Sequence, residues 1–114
     1  MSKGWIGVDL DGTIAHYDGW RGDTHIGPPV PKMLARVKAW LAEGKTVKIV
    51  TARAACADPE ERAAVVEAVR RWCYEHVGEF LEITASKDYA MIELWDDRCV
   101  QVVRNTGDRV DGKD

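Results

Sequence analysis

No apolar run in this chain approaches the ~20 residues that a membrane-crossing helix needs. The first residues also lack the basic-then-apolar pattern of a secretory leader. Both absences set the expectation of a cytoplasmic protein with no membrane partner. Charge of one sign is missing too: 16 Lys and Arg stand against 19 Asp and Glu, a net charge of −3. That argues against holding nucleic acid by bulk electrostatics, though a local basic patch remains compatible with it. Cysteine is scarce. Cys56, Cys73 and Cys99 are odd in number and lack C-x-x-C spacing, so they read as reduced, partly buried thiols. No repeat, linker or low-complexity block interrupts the chain. Its 114 residues suit one domain with a real core, and 46% apolar with 31% charged residues suits a folded globular protein.

What is present is an alternation of short apolar runs and helical stripes. Residues 4–9 read as a buried strand. Residues 14–30 lack periodicity and hold Gly19, Gly22, Gly27, Pro28 and Pro29, which predicts a loop or short hairpin. Met33, Leu34, Val37, Trp40 and Leu41 repeat at helical spacing, so a helix is expected over residues 31–43, with Pro31 at its first position and Gly44 just past its end. Residues 46–50 are β-rich. A second helix begins with Asp58 as cap, Pro59 first inside and Glu61 completing a capping-box pattern. Val65, Val66, Val69, Trp72 and Cys73 mark its buried face, and Gly78 ends it. Strands are expected at 81–84, 91–95 and 99–103, and a flexible tail over 105–114. This order predicts an α/β sandwich with a mainly parallel sheet. Ligands of such sheets sit beyond the carboxyl ends of the strands.

The residues able to do chemistry fall at those ends. Asp9 and Asp11 follow the first strand, in Val8-Asp9-Leu10-Asp11-Gly12-Thr13. Carboxylates this close raise each other's pKa unless a cation relieves them, which points to chemistry or metal binding. Gly12 allows a sharp turn and Thr13 offers a hydroxyl to hold it. Thr51 follows the second strand, with Ala52 and Arg53 next. Lys87 lies after the 81–84 run, and Asp96 and Asp97 follow 91–95.

That ordered set, D-x-D-G-T, then Thr51, then Lys87, then an acidic pair, resembles the haloacid dehalogenase (HAD-like) superfamily over about residues 4–103. The resemblance implies a Rossmann-like three-layer sandwich as a single core over residues 1–104. It implies an Mg²⁺-dependent phosphatase acting through an aspartyl-phosphate. Asp9 would be the nucleophile and a metal ligand. Asp11 would be the general acid/base and would offer its main-chain carbonyl to the metal. Thr51 and the Ala52 N–H would bind the phosphoryl group, with Gly12 shaping the turn against it. Lys87 would neutralise charge, and Asp96 and Asp97 would complete the Mg²⁺ site. An Asp at the second acidic position is typical of the family's phosphatases.

Other readings stand beside this one. Arg53 could grip a phosphate in a two-toothed contact. Its position before an Asp-Pro-initiated helix bearing Trp72 is similar to the phosphatase domain of polynucleotide kinase–phosphatases, which would make the substrate a nucleic-acid end. The loop holding Tyr17, Trp20, Arg21 and His25 could gate the site or stack on a ring, and His25 could serve as ligand or base. No insertion is long enough for a cap domain, so the site is expected to be open, serving a large phosphorylated substrate or completed by a homo-oligomer. A binding or regulatory module that keeps the fold without the chemistry is the alternative of another class.

Overall fold

Ile6 and Val8 alternate with Trp5, Gly7 and Asp9 along the first strand, and this period of two decides where the core lies. The structure, a computed structural model, describes residues 4–113. Its strands are β1 (Trp5–Asp9), β2 (Thr46–Val50), β3 (Glu82–Thr84) and β4 (Met91–Trp95). They form one parallel sheet in the order β3-β2-β1-β4. Ile6 pairs in register with Val47 and Val8 with Ile49, so these four side chains share a face. On that face they join one buried cluster with Met33 and Val37 of α1 (Pro31–Ala42) and with Val65, Val69, Trp72 and Cys73 of α2 (Pro59–His76). Both helices therefore cover the same side. The crossovers β1-α1-β2 and β2-α2-β3 step in one direction along the sheet, and right-handed crossovers then place their helices together.

The helix signals act as expected. Pro31 opens α1. The Asp58 carboxylate accepts from the Glu61 N–H at the start of α2, and Pro59 stands at its first position. Burial pushes the Cys73 thiol up to about 12, so this cysteine is an inert packing residue. All three cysteines are free. No helix among the described residues is long and apolar enough to cross a membrane.

The expected parallel α/β sheet forms, while among the described residues no helix joins β3 to β4 and no third layer is seen. Only residues 85–90 separate these strands. They run past the face opposite the helices, where Trp5 is buried, donates from Nε1 to Asp88 at 2.8 Å and faces the Lys48 Nζ at 4.5 Å. Residues 99–103 form no sheet strand either. The Val110 N–H donates to Gln101 at 2.9 Å and the Val103 N–H to Asp108 at 2.8 Å, so this segment doubles back on the residues expected to form the tail. Its β-branched side chains satisfied local propensity, but no sheet edge receives them: Val100, Val102 and Val103 stay exposed.

Candidate active site

A parallel sheet brings the carboxyl ends of its strands to one edge, and β1 lies where the strand order reverses, between β2 and β4. Asp9 closes β1, Thr51 follows β2 and Asp96 follows β4. A cavity of about 500 Å³ opens here, lined by Asp9, Asp11, Thr51, Arg53, Asp96 and Asp97 among others.

Asp9, Asp96 and Asp97 each offer a carboxylate oxygen within 4.8 Å of the others. Thr13 ties the group together. Its hydroxyl accepts from the Asp97 N–H at 3.1 Å and lies 3.3 Å from the Asp9 carboxylate, to which it can donate. Gly12 is required twice over. Its φ is +87°, and a Cβ there would stand 2.5 Å from an Asp97 carboxylate oxygen. The Asp9 carboxyl is pushed from its ordinary 3.8 up to about 7, first by burial, then by the charge of Asp96 and by Asp97 through a hydrogen bond and its charge. The Thr13 hydrogen bond opposes this rise. Three carboxylates this close could hold a metal ion.

Asp11 turns away from this group to a different partner. Arg53 donates to both of its carboxylate oxygens, from Nε and Nη2, each at 2.8 Å. The Arg53 side chain is only 6% exposed. Its remaining nitrogen donates to the Asp23 carbonyl at 3.0 Å and the Gly22 carbonyl at 3.4 Å, which binds the loop after β1 to the site. The Trp20 ring lies against this guanidinium, 4.9 Å from centroid to Cζ. The neck of the same loop is a short hairpin: the His16 N–H donates to Pro28 at 2.8 Å and the Val30 N–H to Ile14 at 2.7 Å. Trp72 of α2 anchors it by donating from Nε1 to the Gly27 carbonyl at 2.9 Å.

Thr51 is buried, and its hydroxyl accepts from the Arg53 N–H at 3.2 Å. Ala52 lines the cavity beside it. Asp9, Asp11, Gly12, Thr51, Ala52, Arg53, Asp96 and Asp97 thus gather at one end of the sheet. Lys87 is exposed within residues 85–90 and is not among the residues lining this cavity, where Ala85 forms part of the wall. Arg98, given no role from the sequence, also lines the cavity. The signal was its place three residues past the end of β4, as Arg53 stands three past the end of β2. His25 lies in a smaller cavity of about 170 Å³ beneath the loop, apart from the acidic group.

Comparison of the chain with protein-family models, with curated proteins and with solved structures finds no match.

Proposed function

We propose that the protein is an Mg²⁺-dependent phosphomonoester hydrolase of the HAD-like kind, with Asp9 as nucleophile. The observation that carries this reading is the Asp9 carboxylate at a strand end, gathered with Asp96 and Asp97 on an open cavity that Thr51 and Arg98 also line. Asp9, Asp96 and Asp97, with the Asp11 carbonyl, would hold the metal. When bound, Mg²⁺ neutralises the carboxylates and polarises phosphoryl oxygens.

An Asp9 oxygen attacks phosphorus in line, and the bond to the leaving alkoxide breaks as Asp11 supplies its proton. Asp11 then takes a proton from water. The water oxygen bonds to phosphorus, the aspartyl bond breaks and inorganic phosphate leaves. Both Asp11 oxygens are held by Arg53, so proton exchange at Asp11 requires one of these bonds to open. Thr51 and the Ala52 N–H donate to the phosphoryl oxygens. The cationic role expected of Lys87 passes to Arg98, the cavity's other arginine.

The test is hydrolysis of an aryl phosphate by the purified protein with Mg²⁺. Activity should vanish with a chelator and fall by at least about 10³-fold in Asp9→Asn, a loss of roughly 4 kcal/mol of transition-state stabilisation. Arg98→Ala should cost more than Lys87→Ala. Retention of activity in Asp9→Asn overturns the assignment.

A further inference from the structure

A phosphate group needs only the carboxylates of this cavity, yet the cavity is larger than that and part of its wall is aromatic. Its volume of about 500 Å³ lies in the range of small-molecule sites. Tyr17 and Trp20 both line it, and they are 43% and 59% exposed. Large rings left this wet on a wall shared with chemical groups mark a surface that gains by being covered.

The Trp20 ring is also held in place. One side faces Arg53, whose guanidinium is fixed by Asp11 and by the loop's own carbonyls at Gly22 and Asp23. A side chain positioned before binding loses little freedom on binding. Gly19 and Gly22, at φ +136° and +105° with open space around them, bracket Trp20 and turn the loop without crowding the ring.

We infer that the site takes a small phosphate monoester bearing a planar aromatic ring, of the nucleoside monophosphate type, with the ring stacked on the Trp20 face away from Arg53 and beside Tyr17. This substrate class rests on the phosphatase reading. It extends that reading from the phosphate to the rest of the molecule, and it assigns the loop a specificity role. A planar ring fits better than an aliphatic group because both its faces are apolar while its edge stays polar toward solvent.

The test is calorimetric titration of Asp9→Asn protein in Mg²⁺ with adenosine monophosphate and with ribose 5-phosphate, which differ only by the base. Adenosine monophosphate should bind on the order of tenfold more tightly or better, the size of one base–aromatic stack. Adding Trp20→Ala should remove most of that gap, and Trp20→Phe should restore it. The ring is exposed on a loop, so neither change touches the core. Equal affinities, no measurable binding of either ligand, or a gap unchanged by Trp20→Ala overturns the inference. Hydrolysis by the unaltered protein decides the phosphatase reading separately. Turnover of both esters without preference removes only the ring site, and a base-dependent affinity without turnover removes only the chemistry.

Discussion

Asp9 shows what a cluster of carboxylates costs the fold. Its carboxyl keeps a proton up to about 7 in the folded protein, against 3.8 ordinarily, chiefly because it is partly buried beside Asp96 and Asp97. The sign of the consequence is fixed by linkage. Below about 3.8 both folded and unfolded chains are protonated at this group, and its contribution is fully present. As pH rises to about 7 the unfolded chain has released the proton while the folded protein still holds it, so stability falls across that window. The neutral variant Asp9→Asn should therefore melt higher than the unaltered protein at pH 8 without metal, by about 4 °C or more. The difference should narrow as pH falls toward 4, and Mg²⁺ should raise the melting temperature of the unaltered protein more. Equal melting temperatures at pH 8, read by circular dichroism, would show that Asp9 carries no unrelieved charge.

At the scale of elements, the neck of the loop after β1 depends on one glycine. A Cβ on Gly27 would collide with the His16 carbonyl across the hairpin neck, and the Gly27 carbonyl receives the Trp72 indole from α2. Gly27→Ala should part the neck, cost roughly 1–3 kcal/mol in urea denaturation and lower the proposed aryl phosphatase activity by displacing the carbonyls that hold Arg53. Unchanged stability and activity would show that the loop is not tied to the site through its neck. The elements themselves were legible where local rules act alone. Pro31, and Asp58 with Pro59, marked both helix starts, an apolar run marked β1 and β-rich composition marked β2. The acidic group was legible too, because Asp9, Asp96 and Asp97 each end or follow an apolar run and parallel strands share an edge. The Asp11–Arg53 pair was not: 42 residues part them, and only the pairing of β1 with β2 brings them together. Spacing alone set Asp11 beside Asp9, whereas the guanidinium draws its carboxylate away.

Across the whole molecule, burial is uneven, and this separates a folded core from an appended segment. Every element of the core cluster lies between β1 and the start of β3, with Trp95 of β4 packed on its margin against Trp40 at 5.2 Å. From residue 96 to residue 113 no side chain is buried. Among the described residues no helix covers the sheet's second face, because the six residues of the 85–90 connection are too few to form a covering helix and return to the opposite edge. The expected strands at 81–84 and 91–95 already left this six-residue gap, although an apolar run by itself predicts a strand and not the layer above it. The doubled-back segment over 101–110 is held by main-chain hydrogen bonds and an exposed Arg109–Asp111 pair, which contribute little where water competes. Removing residues 105–114 should therefore leave the melting temperature within about 2 °C, under half the shift that 1 kcal/mol produces in a domain of this size. Aryl phosphatase activity should survive, because Asp96, Asp97 and Arg98 all precede the cut. A fall of about 8 °C or more in a thermal melt would instead place the segment within the cooperative fold.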